Sequence, residues 1–256
     1  MAQALASGFV TSGLVEADSI LASDPHEAAR TAFAELVPGS RVTDDNTEVA
    51  QADVVFLAVK PQQMNQVLEP LANLIGDEQL VVSIAAGVSI SRLAAILGDD
   101  TRLIRVMPNT PCLVGHSASA YCLGDSATAA DGKLAFQLLS AVGVAHELPE
   151  EQLDAVTGLS GSGPAFVCVM IEALIEGGLR MGLSEEVASA LAIATVRGTG
   201  VLLHESGDSP VTVREGVSSP GGTTLAGLAE LESREMRTAV ISAVEAATRR
   251  SMELGE

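Results

Sequence analysis

Apolar and polar positions follow two different rhythms along the chain, and the change falls near residue 149. Before it, short β-branched runs at 20–23, 54–59, 80–84 and 103–107 are separated by helical spacing at 26–37, 63–74 and 90–97. Val54-Val55-Phe56-Leu57-Ala58-Val59 is apolar at every position, as a strand covered on both faces must be. This alternation predicts a parallel sheet with helices on both faces. A shorter tail predicts a strand at 117–123, a helix at 127–141 and a strand at 145–148. After Pro149 the chain reads as helices at 151–157, 164–181, 184–205, 225–231 and 234–254, with no strand pattern. Pro164 suits a first helical turn, and Ser184 before Glu185 and Glu186 is an N-cap followed by first-turn acids. Leu174, Gly177, Gly178 and Met181 give one helix a small-residue side that permits close helix contact. The expected plan is therefore an α/β domain over 1–149 and an all-α domain over 150–256.

Composition narrows the chemistry. Apolar residues make up 47% of the 256 positions and aromatics only 2%, so Ala, Val, Leu and Ile must fill the core. The formal net charge of −19, with lysine only at Lys60 and Lys133, argues against nucleic-acid binding, which needs a basic surface. Cys112, Cys122 and Cys168 have no metal-ligand spacing and read as small buried hydrophobes in a reducing compartment; no metal site is expected. The N-terminus lacks a basic secretion signal, and the apolar run 165–175 is interrupted by Glu172 and followed by Glu176. No membrane span is expected, and the cytoplasm is the default location.

In an open parallel sheet, ligands bind at the carboxyl ends of the strands. Three successive strand ends carry unusual segments: Lys60-Pro61, Ala85-Ala86-Gly87 and Pro108-Asn109-Thr110-Pro111. In the helical half, Gly158-Leu159-Ser160-Gly161-Ser162-Gly163-Pro164 leads into a long helix. Val217-Ser218-Ser219-Pro220-Gly221-Gly222-Thr223-Thr224 combines a tight turn, paired hydroxyls and an immediate helix start. Its free amides suit a carboxylate or phosphate; the plainer reading is an interhelical turn with Thr223 as N-cap.

Together these segments resemble pyrroline-5-carboxylate reductases. The motifs Ala58-Val59-Lys60-Pro61-Gln62, Ala85-Ala86-Gly87-Val88, Met107-Pro108-Asn109-Thr110-Pro111, the 158–164 run and Ser219-Pro220-Gly221-Gly222-Thr223-Thr224 occur in that family's order. The resemblance implies a Rossmann-like N-terminal domain and a helical C-terminal dimerisation domain, making a homodimer or higher homo-oligomer. It implies hydride transfer from NADPH, or NADH, to 1-pyrroline-5-carboxylate, the last step of proline biosynthesis. It also places Ser23 and Asn46 at the adenosine end of the cofactor. Ala58, Val59, Lys60, Pro61, Ile84, Ala85 and Ala86 would line its ribose and nicotinamide, and Asn109 joins the cofactor contacts. Ser219, Gly221, Gly222, Thr223 and Thr224 would clasp the substrate carboxylate, with Thr224 hydrogen-bonding near the ring nitrogen as the catalytic residue. Glu150 matches an acid the family has near its ligands. Gly216 stands where many relatives have a polar side chain, so one cofactor contact is expected to be lost.

The local charge bears on the cofactor. Asp24 beside Ser23 would repel a 2′-phosphate, and Arg30 lies a turn or more into the next helix; the family resemblance favours NADPH. A complete member of the family also begins with a buried strand and a G-x-G-x-x-G/A turn, whereas Met1-Ala2-Gln3-Ala4-Leu5-Ala6 already reads as the helix that follows. The expectation is that strands 20–23 and 54–59 lose a common neighbour and that dinucleotide binding and turnover by the chain as written are weak. A β-hydroxyacid dehydrogenase fits less well, because no lysine occurs after Lys133. The non-enzymatic alternative is a helical dimer or cofactor-binding module.

Overall fold

A computed structural model describes residues 1–255 of the chain. They form two compact units: residues 1–162 together with those from 245 onward, and Gly163–Val244. The division differs from a boundary at 149, because the segment 150–162 and the last turns of the chain cluster with the sheet.

In the first unit, α1 (Ala2–Thr11) is the helix expected at the start, followed by β1 (Leu21–Ser23), α2 (Glu27–Leu36), β2 (Arg41–Thr43) and β3 (Val54–Leu57). Next come α3 (Met64–Leu68), β4 (Leu80–Ser83), α4 (Ile90–Leu97), β5 (Arg102–Met107), β6 (Ser117–Leu123), α5 (Ala129–Ser140), β7 (Gly143–Glu147) and α6 (Leu153–Val156). Strands β3-β4-β5-β6-β7 form one sheet in chain order, and β1 pairs with β2 in a separate parallel pair. The two strands expected to lose a common neighbour, at 20–23 and 54–59, accordingly belong to different sheets. Three residues, Arg-Val-Thr, are too few to show β2 as a strand in the sequence.

The sheet is parallel except between β5 and β6, where Ile104 faces Leu123 in an antiparallel register. That corrects the all-parallel expectation. The link from Met107 to Ser117 is shorter than the roughly dozen residues of a parallel crossover, so the chain simply turns back. Burial follows the two-faced plan. Val55, Leu57, Val81 and Leu103 meet Met64, Leu68, Leu71 and Leu93 on one side. Leu80, Val82, Ile104, Val106 and Tyr121 meet Ala135 and Leu139 on the other. Each such large aliphatic contributes on the order of 1.5–3 kcal/mol by leaving water. Leu5 and Phe9 of α1 add a third patch with Leu138 and Val142.

Local signals fix the helices. Ser89 accepts from the Arg92 amide at the start of α4, and Gly98, at φ 103°, ends it. Thr128 and Asp131 form a capping box on α5, and Asp131 also pairs with Arg102 at 2.8 Å. After α6 the glycine cluster makes a π-helical turn over Thr157–Gly161 and leads into the expected long helix. Gly161 lies against the Met107 methyl, which would have to move to admit a Cβ there.

The second unit contains α7 (Gly163–Arg180), α8 (Glu185–Ser206), α9 (Pro210–Gly216), α10 (Thr223–Ser233) and the start of α11 (Met236–Gly255), up to Val244. Ser184 caps α8 as expected. Helix α9 was not anticipated, although Ser209 caps it and Pro210 opens it. Gly178 lets α7 approach α8, since a Cβ there would lie 3.2 Å from that of Ala188. Many apolar side chains in this unit stay exposed, among them Val169 at 64%, Leu191 at 56% and Ile193 at 53%. By length and composition alone, residues 150–180 and Glu185–Ser206 are apolar enough to cross a membrane. Glu172 and Glu176 lie within the first of these segments and Arg197 within the second.

Candidate functional site

Parallel pairing puts the ends of β3, β4 and β5 along one edge of the sheet. There the chain passes through Ala58, Val59, Lys60 and Pro61, through Ile84, Ala85 and Ala86, and through Pro108 and Asn109. The Ile84 amide donates to the Leu57 carbonyl at 3.1 Å, holding the first two segments side by side. Ala58, Lys60 and Ala86 are exposed, whereas Ala85 is buried and Val59 packs on the core. Backbone and small side chains therefore form most of this edge. Gly87 follows at φ 72°, a left-handed turn that glycine adopts without strain.

Asn109 is 7% exposed and largely committed within the fold. Its Oδ1 accepts from the Ala118 amide at 2.8 Å and from the Ser117 hydroxyl at 3.2 Å, and its Nδ2 donates to the Ser160 carbonyl at 3.0 Å. One N–H remains for a ligand, so Asn109 is first of all the clamp that shapes its loop.

Glu150 is similarly engaged. Its Oε1 accepts from the Ile90 amide at 2.8 Å and from Arg105 at 3.1 Å. Arg105 is 7% exposed and also faces Asp154 at 3.7 Å. The buried Cys122 thiol is pushed up to about 12, first by burial and then by the Glu150 carboxylate. That thiol is not a nucleophile at neutral pH. No cluster of three or more metal-ligating side chains occurs among the described residues.

Ser23 and Asn46 lie at the β1–β2 pair. The Ser23 hydroxyl is buried with no hydrogen-bond partner. An orphaned donor at the end of this strand fits a ribose or its phosphate. Arg30 lies about a turn into α2, as expected, and its NH1 reaches back to donate to the Asp24 carbonyl at 2.7 Å. The Asp24 carboxylate meanwhile accepts from the His26 amide at 2.8 Å. Asn46 opens a short 3-10 turn whose cap, Asp45, is held below the usual carboxylate range by the Thr47 hydroxyl and amide.

In the second unit, Gly221 has φ 70° and the Gly222 amide donates to the Ser219 carbonyl at 2.9 Å. Helix α10 then starts at Thr223 with Gly222, not Thr223, as its N-cap, and no side chain caps it. The segment is a turn between α9 and α10, and only the expected cap residue is corrected. The first amides of α10 lack a side-chain acceptor, while Ser219 and Thr223 are exposed and Thr224 is half-buried. Such an end favours an anionic group.

Residues 150–254 match the family model described as pyrroline-5-carboxylate reductase dimerisation, and residues 1–87 the model described as NADP oxidoreductase coenzyme F420-dependent. Over 257 residues the chain is 42% identical to pyrroline-5-carboxylate reductase 3 of Rattus norvegicus, covering 100% of this chain and 93% of the relative. The chain belongs to the pyrroline-5-carboxylate reductase family.

Another member, from Methanosarcina acetivorans, is 43% identical over 258 residues, covering 100% of this chain and 95% of that one. Among solved structures, the pyrroline-5-carboxylate reductase of Coxiella burnetii superposes with a TM-score of 0.93 at 34% identity, covering 100% and 95% of the two chains. The Plasmodium falciparum pyrroline carboxylate reductase, solved with NADP bound, gives 0.88 at 31% identity, covering 99% and 94%. The family's Rossmann-like domain and helical dimerisation domain thus underlie the two halves of this fold.

One group has no counterpart among the residues expected from the sequence. Arg105 joins β5 to the carboxylates of Glu150 and Asp154, a long-range pairing that periodicity does not encode. Its trace in the sequence is a charge within the otherwise apolar run 103–107.

Proposed function

We infer that this chain reduces 1-pyrroline-5-carboxylate to proline with a reduced nicotinamide cofactor, the last step of proline biosynthesis. The observation that carries the reading is identity of 42% to a named pyrroline-5-carboxylate reductase across the whole chain.

The cofactor, when bound, supplies the hydride. Ser23, Asn46 and Arg30 hold its adenosine end; Arg30 is the cation that offsets Asp24 and favours NADPH over NADH. Backbone at Ala58, Val59, Lys60, Pro61, Ile84, Ala85 and Ala86 lines the ribose and nicotinamide, with the remaining Asn109 N–H as a further donor. In the second unit, Ser219 and the amides of Gly221, Gly222, Thr223 and Thr224 hold the substrate carboxylate. The Thr224 hydroxyl accepts from the protonated ring nitrogen, keeping the imine in its electrophilic form. Glu150 serves through Arg105 and the Ile90 amide rather than by facing the ligand with both oxygens.

Orientation supplies much of the rate in such a reaction. The protein is a soluble homo-oligomer, with the exposed apolar residues of α7 and α8 covered by a second copy. Glu172, Glu176 and Arg197 on these helices favour a protein neighbour over lipid.

The test is oxidation of NADPH on addition of 1-pyrroline-5-carboxylate, by the protein and by Thr224→Ala. The variant is expected to lose about tenfold or more in kcat with little change in NADPH affinity. An unchanged kcat removes Thr224 from the catalytic role.

A further inference from the structure

The last turns of α11 cluster with the sheet-bearing unit, and they do so through a specific set of contacts. Ser251 is 4% exposed and donates from its hydroxyl to Asp154 Oδ1 at 2.6 Å. Asp154 faces the buried Arg105, whose other nitrogen donates to Glu150 Oε1 at 3.1 Å. The same Glu150 oxygen accepts the amide of Ile90, the first residue of α4. A single charged relay thus runs from α11 through β5 to the far end of the loop joining β4 to α4.

That loop is gripped a second time from the same place. A Cβ on Gly87 would lie 3.4 Å from the Leu254 carbonyl and its Cβ, and one on Gly255 would lie 3.4 Å from the Gly87 carbonyl. The loop carries Ala85 and Ala86, with Gly87 held in its left-handed turn. Between the two grips it has little freedom to shift. Ordinary helix packing does not account for the arrangement, since it spends a buried cation, two carboxylates and a buried hydroxyl on fixing a loop whose side chains are small.

We propose that Ser251 is a positioning residue for the reduction, setting the 85–87 loop through Asp154, Arg105 and Glu150. The proposal rests on the reading of Ala85 and Ala86 as lining the nicotinamide. Ser251 touches no reacting atom; it acts by holding the loop against which the hydride donor lies. Misplacement of about 1 Å in such a site costs up to roughly a hundredfold in rate. Loss of one anchoring hydrogen bond should cost less, about three- to tenfold.

The experiment compares the protein with Ser251→Ala and Gly87→Ala, measuring kcat, KM, NADPH affinity and the primary isotope effect with NADPH deuterated at C4. The expected result is a three- to tenfold lower kcat in Ser251→Ala, KM within about twofold, and a larger isotope effect as hydride transfer becomes limiting. Gly87→Ala shifts the same loop directly and should raise the isotope effect likewise; an unchanged isotope effect there would mean that the loop's position does not set hydride transfer, and would overturn the role of Ser251 even if Ser251→Ala does not fold. An unchanged kcat and isotope effect, even with reduced thermal stability, overturns the positioning role. No turnover by the unaltered protein would instead overturn the reductase reading, and the two failures are therefore distinct.

Discussion

Arg30 shows how much one side chain alters the account of the cofactor. In sequence, Asp24 beside Ser23 argues against a 2′-phosphate. In the structure, the Asp24 carboxylate is turned to the His26 amide and Arg30 lies within hydrogen-bond distance of the Asp24 carbonyl. Arg30→Ala is expected to weaken NADPH binding about tenfold while leaving NADH within about twofold. Titration of each cofactor by fluorescence checks this, and equal losses for both would detach Arg30 from the phosphate. Cys122 makes a second residue-scale prediction. Its folded thiol is raised to about 12 from an ordinary 9.0. Because the folded state resists ionisation, the associated stability is complete below pH ~9 and is lost as pH rises toward 12, by at most about 1.4 kcal/mol per pH unit. The urea midpoint should fall more steeply above pH ~9 in the unaltered protein than in Cys122→Ala. Parallel curves would mean that Cys122 does not carry the effect.

Among the elements, the β6–β7 pair depends on one backbone approach. Gly143 opens β7 opposite Ser117, and a Cβ there would collide with the Ser117 backbone. Gly143→Ala should therefore destabilise the fold by about 2–4 kcal/mol, read from urea unfolding. A loss under about 0.5 kcal/mol would show that the strand can shift to make room. The helices and the long strands were legible because their periods are local: Val54–Leu57 is apolar throughout, and Ser89, Thr128 and Ser184 sit where caps belong. The strand β2 was not legible, being too short to alternate, and α9 was passed over despite its Ser209-Pro210 start. The antiparallel turn of β6 follows from a short connection whose length was visible and whose consequence was not drawn. The π-helical turn over Thr157–Gly161 leaves no periodic trace in the sequence.

For the whole molecule, the residues that a family resemblance gathers fall into two compact units. The strand-end backbone at Ala58 and Ala85 and the buried Ser23 hydroxyl belong to one, and the uncapped start of α10 to the other. Their chemical types were readable from sequence, since small residues and a Pro-Gly-Gly turn announce close backbone approach. Their internal commitments were not. Asn109 and Glu150 spend most of their hydrogen-bonding capacity inside the protein, which only long-range partners such as Ser160, Ala118, Ile90 and Arg105 reveal. The central claim is hydride delivery to a cyclic imine, and product labelling tests it most directly. The protein is incubated with NADPH carrying deuterium at the transferable C4 position and with 1-pyrroline-5-carboxylate, and the product is examined by mass and NMR. The account predicts proline with one deuterium, at C5. Absence of proline at saturating cofactor and substrate, or proline without the label, would contradict it.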